Sequence, residues 1–306
     1  MSESYGNRMR QALASRQIVP FIGVYDVFSA SIAARYYDAL FLSGFGFAAS
    51  HYGLPDMGYI AWSDVADYVR RIRTVLPAHH LLVDIDDGYC DTGVACHVVS
   101  VLETIGASGV VLEDQQRPRR CGHFDGKQVM ALEPFVDKLR EVLATRKDLF
   151  VIARTDARDE DEILRRVRAF TEAGADAVLV DGLRDLETLS ALKRAVSDTG
   201  CLLTFNQIAG GKSPPCDLNE LASIGASVVI YSTPCLFAAQ AAMEDAMQQL
   251  RGRNGLLPSI EEGGVGVSSC TAVLEENLRS SGGDRLGRTG VSAPQLDGDG
   301  LTSEAR

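Results

Sequence analysis

Apolar and polar positions along the chain alternate between two periods. Residues 18–24 form a short β-branched run, after which Phe28, Ile32 and Tyr36 recur at helical spacing through residue 37. The same change of period returns seven times. It predicts strands over 18–24, 39–43, 81–86, 109–112, 150–154, 177–181, 202–206 and 228–231. Between them it predicts a helix capped by Ser63-Asp64 and carrying Val65, Tyr68, Val69 and Ile72, then helices over 94–105, 132–143, 161–173, 185–196 and 217–223. Gly106-Ala-Ser, Gly174-Ala-Asp and Gly225-Ala-Ser each close a helix and open a strand, with glycine as the helix stop.

Eight apolar strands alternating with helices predict an α/β fold, a closed (β/α)8 barrel, because parallel strands buried on both faces read as continuous apolar runs. The other arrangement, a doubly wound open sheet, commonly carries a glycine-rich phosphate loop, and no G-x-G-x-x-G follows the first strand. The barrel is expected over 1–250, its last helix over 240–250. A linker over 251–258 leads to a short helix over 268–278, so that 251–279 forms a C-terminal helical extension. Residues 280–306 are rich in Gly, Ser and Asp and are expected to stay disordered. Residues 1–16 read as a polar start.

Composition narrows the partners. With 306 residues and 46% hydrophobic content, the chain can bury a full core. A net charge of −11 opposes attraction to nucleic acid or an anionic membrane surface. No apolar run reaches the roughly 20 residues a membrane span needs, and no signal peptide is evident. The seven cysteines are widely spaced without a C-x-x-C pair, which suggests a reducing cytoplasm.

In a barrel of this kind the C-terminal ends of the strands carry function. Here those ends are Tyr25-Asp26, Ser43, Asp84 and Asp86, Glu113, Arg154, Asp181, Asn206 and Ser232. Asp84 and Asp86, two apart on a strand, are expected to share the face towards the barrel axis. Glu113 adds a third acid, and Asp56 a fourth from a loop. Oxygen ligands without histidine suit a hard ion, Mg²⁺ with Mn²⁺ as a substitute, and Asp86 is expected as the direct ligand. Arg154 either faces substrate or pairs with one of the acids. Backbone amides at Ser43, Gly44 and Phe45 offer a second anion contact. A small anionic substrate chelating the metal would satisfy these groups together.

After strand four the chain runs Glu113-Asp-Gln-Gln-Arg-Pro-Arg-Arg-Cys121-Gly-His123. Arg119, Arg120 and His123 are expected to favour the thiolate of Cys121, making it a candidate acid or base. The alternative is a small residue on a solvated basic loop.

Ser43-Gly, Gly-Leu-Pro-Asp56-Met-Gly, Asp84-Ile-Asp86, Glu113-Asp-Gln, Arg-Cys121-Gly-His123 and Ala-Arg154-Thr-Asp-Ala occur in an order and spacing that resemble the isocitrate lyase and phosphoenolpyruvate mutase superfamily. The match covers residues 18–250 and looks closest to 2-methylisocitrate lyases and carboxyvinyl-carboxyphosphonate phosphonomutase. The resemblance implies a Mg²⁺-dependent barrel whose Cys loop closes over an α-oxo or α-hydroxy carboxylate. It also implies a homo-oligomer, dimer or tetramer, often with one helix swapped between subunits. By that match Ser43, Gly44 and Phe45 bind substrate, while Asp84, Asp86, Glu113 and Asp56 serve the metal. Cys121 is the acid or base, with His123 beside it, and Arg154 and Asn206 orient carboxylates. Three positions depart from the lyases: Asp181 replaces the usual glutamate, Tyr-Ser232-Thr-Pro replaces Tyr-Pro-Leu-Ser, and Phe45 stands where a small residue is frequent.

The leading expectation is therefore a lyase that breaks a carbon–carbon bond in a 2-hydroxy di- or tricarboxylate and releases an α-oxo acid. Phosphonomutase chemistry and oxaloacetate-type hydrolysis are the alternatives. Phosphoenolpyruvate mutases resemble each other in carrying Lys and Asn-Ser where this chain has Arg-Arg-Cys-Gly-His, which argues against that reaction.

Overall fold

The computed structural model describes residues 3–123, 126–257 and 264–281. Eight parallel strands close into a barrel in chain order: β1 (Val19–Val24), β2 (Ala39–Leu42), β3 (His80–Asp84), β4 (Gly109–Glu113), β5 (Phe150–Thr155), β6 (Ala177–Val180), β7 (Leu202–Gln207) and β8 (Val228–Tyr231). Register is set by pairs such as Glu113 with Arg154 across β4 and β5, and closure by Val19 with Val228 across β1 and β8. Every residue of β5 is buried, as expected for a strand covered by helices outside and side chains within.

The barrel interior holds Phe21, Phe41, Leu82, Val111, Phe150, Ile152, Leu179 and Ile230, and two residues of a helix close its lower end. That helix, α1 (Tyr5–Ser15), lies in the stretch read as a polar start, where no element was expected. Met9 and Leu13, one turn apart, pack into the interior cluster, while the opposite face stays in water. Ser4 caps the helix by accepting from the Asn7 amide, and Arg10 pairs with Asp148 and Asp176 at 2.9 Å each. Two buried apolar side chains in eleven residues are enough for a plug, and too few to stand out in a polar sequence.

The outer layer comprises α2 (Val27–Ala33), α4 (Trp62–Val75), α5 (Thr92–Thr104), α6 (Leu132–Thr145), α7 (Glu160–Glu172), α8 (Leu186–Val196) and α9 (Leu218–Ile224). The short α3 (Gly44–Phe47) continues into a π-helical turn, Ala48–Tyr52. Asp159, Asp185 and Asp217 each cap their helix by accepting a backbone N–H. Gly106, Gly174 and Gly225 take φ of 97°, 96° and 99°, the left-handed turn expected at helix stops. Ser63-Asp64 does not cap α4. Ala61 occupies that position without a side-chain bond, and Asp64, inside the first turn, accepts the hydroxyl of Tyr52 instead. Helix α2 stops at Ala33, short of the expected 37, which leaves Tyr36 76% exposed.

Helix α10 (Pro234–Gly252) starts six residues before the expected 240, because Pro234 at its first turn has φ already set for a helix. It buries none of its residues. Beside it an apolar groove of about 490 Å³ lies open between α2 and α9, lined by Ile32, Ala33, Tyr36, Leu218, Tyr231 and Ala238. Helix α11 (Val267–Ser280) docks on the barrel through buried Val273, and Asn277 donates to Ser31 at 2.7 Å. The expected disordered segment 280–306 lies, beyond residue 281, outside the described residues. Among the described residues no helix is long and apolar enough to cross a membrane.

Candidate functional site

The strand ends converge as their order requires. A cavity of about 20 Å³ at the C-terminal mouth is lined by Ser43, Phe45, Asp56, Asp84, Cys121, Gly122, Arg154, Asp181, Asn206 and Ser232, over an apolar wall that includes Phe41, Val111, Leu179, Ile208 and Ile230. Ser43 caps α3 by accepting from the Gly46 amide at 3.2 Å, so the Ser43-Gly-Phe-Gly segment turns sharply at the end of β2. A Cβ at Gly44 would meet the Asp84 carboxylate at 3.0 Å, so glycine lets the main chain pass close to the acids.

Asp84 and Asp86 come together, but by a turn instead of strand alternation. Strand β3 ends at Asp84, and Asp86 has φ of 52°, a left-handed conformation uncommon outside Gly, Asn and Asp. The Asp86 amide donates to Asp84 Oδ1 at 3.2 Å. Behind them Arg119 is 1% exposed and threads its guanidinium among three acids. Its Nε donates to Glu113 at 2.7 Å, and its Nη1 pairs with Asp56 and, at 3.2 Å, with Asp86. Burial would weaken the charge on Arg119, but Asp86, Glu113 and Asp56 outweigh it and hold the group firmly protonated. Gly58 of the Gly-Leu-Pro-Asp-Met-Gly motif lies against this side chain, where a Cβ would come within 3.0 Å of Arg119 Cγ.

The expected role of Arg119 beside Cys121 is therefore corrected: the cation is drawn to the acids. Arg120 is exposed, and Gln115 holds its main chain. Cys121 is buried, and burial, reinforced by the nearby Asp56 carboxylate, pushes its thiol up to about 12. The thiol keeps its proton, so the expected thiolate does not form.

Arg154 both pairs with acids and faces the cavity. It donates to Asp156 through Nε at 3.0 Å, and its Nη2 lies 2.7 Å from Asp181 and 3.3 Å from Glu113. Asp181 also accepts from Asn206 at 2.7 Å, and Ser232 donates to Asn206 at 2.7 Å. Burial alone would raise the Asp181 carboxyl, but Arg154, His123 and Asn206 outweigh it and hold it far below the usual range. His123 sits behind Asp181, its Nε2 3.6 Å from that carboxylate, and does not line the cavity. Its Nδ1 accepts the Lys212 amide at 2.9 Å, tying the Cys loop to the loop after β7.

Two further buried groups were not expected in the site. Asp156 receives Arg154, Lys127 and Gln115, and Lys127 also donates to the Gly122 carbonyl. The available signal was position: Asp156 follows Arg154 by two residues and so returns to the same side of the chain. Six carboxylates (Asp56, Asp84, Asp86, Glu113, Asp156 and Asp181) thus meet three cations, Arg119, Arg154 and Lys127. Asp86 Oδ2 and Glu113 Oε2 are buried without a hydrogen-bond partner. Among the described residues no three His, Cys, Asp or Glu side chains form a ready-made metal cage.

The phosphoenolpyruvate phosphomutase family profile matches residues 9–251. A 2-methylisocitrate lyase from Shewanella oneidensis is 34% identical over 258 residues, 82% of this chain and 86% of that protein. A 2,3-dimethylmalate lyase from Eubacterium barkeri is 31% identical over 252 residues, covering 80% and 85%. Among solved structures, oxaloacetate acetylhydrolase bound to 3,3-difluorooxalacetate superposes with a TM-score of 0.85 at 28% identity, over 93% of this chain and 99% of that one. With the barrel and the acid-lined mouth on one scaffold, the chain belongs to the phosphoenolpyruvate mutase and isocitrate lyase superfamily of enzymes.

Proposed function

We propose that the enzyme cleaves a small alkyl-substituted 2-hydroxy dicarboxylate, a substituted malate, into an α-oxo acid and a carboxylic acid. One observation carries this reading: Cys121 shares its cavity with Arg154 and Asn206 at one side and six apolar side chains, Phe41, Phe45, Val111, Leu179, Ile208 and Ile230, at the other. Arg154 offers a planar fork to a carboxylate. Among the described residues Arg154 is the one cationic side chain lining this cavity, a closer match to a dicarboxylate than to the three carboxylates of a tricarboxylate. The apolar wall suits alkyl groups.

The excess of carboxylates over cations, and Asp86 Oδ2, buried without a hydrogen-bond partner, fit a hard divalent ion, Mg²⁺ or Mn²⁺. Asp86 would hold it directly, with Asp84, Glu113 and Asp56 around it, and Arg119 would yield its central position. When bound, the ion supplies positive charge to the substrate's hydroxyl and carboxylate oxygens.

Arg154 and Asn206 orient the substrate carboxylate, and Ser232 fixes the amide of Asn206. A buried carboxylate of the acid set takes the hydroxyl proton as C2 becomes a carbonyl, and the electron pair of the C2–C3 bond passes to the departing carboxylate fragment as an enolate. Cys121 gives its proton to that carbon. A thiol held protonated by burial is suited to be this acid, and the closed loop keeps water from competing.

A second reading, hydrolysis of a 2-oxo diacid, draws on the small cavity and on the likeness to oxaloacetate acetylhydrolase. The test is a product assay with Mg²⁺ on 2-methylmalate, 2,3-dimethylmalate, 2-methylisocitrate and oxaloacetate. An α-oxo acid from a malate at the highest kcat/KM supports the proposal, and oxalate from oxaloacetate replaces it with hydrolysis. We also propose that the enzyme self-associates by exchange of α10 into the open groove of a second copy, and that it resides in the cytoplasm.

A further inference from the structure

A second cavity, of about 550 Å³, lies beneath the loop between β7 and α9. Ile208 lines both this cavity and the catalytic one. Phe45, on the catalytic side, packs edge-on against Phe237, on the far side, with ring centroids 6.1 Å apart and planes at 86°. Part of the partition between the two spaces is therefore made of apolar side chains that can change rotamer without breaking a backbone ladder. Among the described residues no Asp, Glu, Lys, Arg or His lines the second cavity, whose wall includes Ile208, Ala209, Pro215, Pro234 and Phe237. Its polar side chains are uncharged, Gln207, Ser213, Tyr231 and Thr233, and Gln207 is engaged with Cys216, donating to its carbonyl at 2.8 Å and accepting its amide at 3.0 Å. A charged group has no partner there, and an alkyl chain needs none.

We propose that this cavity receives the alkyl substituent of the substrate, passing between Ile208 and Phe45, so that the enzyme selects 2-hydroxy dicarboxylates whose branch is several carbons long. The inference rests on the lyase reading of the catalytic cavity and names the substrate class more closely. Occupation of the cavity also bears on catalysis. The loop over it carries Lys212, whose amide donates to His123 at 2.9 Å, and Gly211 runs so close to the His123 ring that a Cβ would sit 2.5 Å from Nδ1. A chain packed under this loop therefore supports the segment that holds Cys121 over the site.

The test uses the full-length enzyme with Mg²⁺ and a series of 2-alkylmalates from methyl to pentyl, together with a calorimetric series of the unreactive 2-alkylsuccinates. Burying a methylene favours binding by about fourfold, so kcat/KM and affinity are expected to climb at roughly that rate per carbon beyond methyl. Ala209→Phe, placed on the cavity wall and outside the catalytic one, should flatten both series while leaving 2-methylmalate turnover within about threefold. A profile that falls with chain length in the wild type, or one that Ala209→Phe leaves unchanged, overturns the assignment. Cleavage of 2-methylmalate with flat series removes the alkyl cavity and keeps the lyase. Length-dependent binding of alkylsuccinates without cleavage of any malate keeps the cavity and removes the lyase.

Discussion

The main chain of Gly122 packs directly against the carboxylate of Asp181, leaving no room for a Cβ on the glycine. The superfamily resemblance implies a glutamate at 181, and the shorter aspartate leaves a space there. In the structure it is filled by Gly122, Arg154 and Asn206. The Cys loop closes on the acid itself.

Asp181→Glu should therefore wedge the loop open. A fall in kcat/KM of about a hundredfold on the preferred malate is expected, in line with the sensitivity of catalysis to misplacement of about 1 Å. Gly122→Ala should act in the same direction. Circular dichroism and Tm check that the barrel survives, and full activity in both variants would refute loop closure against Asp181.

Cys121→Ser should lower kcat by about 10²–10⁴ with little change in KM, the usual range for losing a positioned acid. With the thiol at about 12, ionisation of Cys121 should not set an alkaline limb of the rate profile below pH 10. Iodoacetamide at pH 8 should label exposed Cys90 well before Cys121, read by peptide mass spectrometry. Faster labelling of Cys121 would contradict a protonated, covered thiol.

Arg119→Ala leaves Asp56, Asp86 and Glu113 without their shared counter-charge. Loss of one partner from a buried ion set costs about 3–5 kcal/mol, so the metal-free variant should unfold at markedly lower urea than the wild type. Mg²⁺ should restore more stability to the variant than to the wild type, because it then enters the acid set without displacing a guanidinium. Equal Mg²⁺ effects on the two proteins would show that the ion does not use these acids.

Ile32→Glu places a charge in the open groove beside α10. Sedimentation of the wild type should give a dimer or tetramer, and the variant should dissociate towards monomer. A monomeric wild type would remove helix exchange.

Burial, reinforced by the nearby Arg8 charge, lowers the His80 imidazole from 6.5 to about 4. Its folded value lies below its unfolded one, so the stability it supports is present above about pH 6.5 and is lost as pH falls through about 4. His80→Gln should flatten the pH dependence of urea unfolding in that window relative to wild type. An unchanged slope would show that His80 is already charged in the folded protein.

The eight strands, their order and the glycine stops were legible because burial on both faces of a parallel strand is a local property, written as a continuous apolar run such as 150–154. The polar strand ends were legible for the same reason: each stands where such a run stops, and the barrel's closure brings Asp84, Glu113, Arg154, Asp181 and Asn206 to one mouth. Met9 and Leu13 carried too little apolar signal to reveal a helix whose stability comes from the barrel floor it fills. What only the tertiary structure decided is which partner each charged side chain takes. Arg119 and Cys121 are neighbours in sequence, yet the guanidinium is drawn to acids from three other segments while the thiol is left protonated. Coulomb attraction in a buried site depends on distances between groups far apart in the chain, and so does the space shared by Ile208 and Phe237. Neither leaves a periodic trace along the sequence.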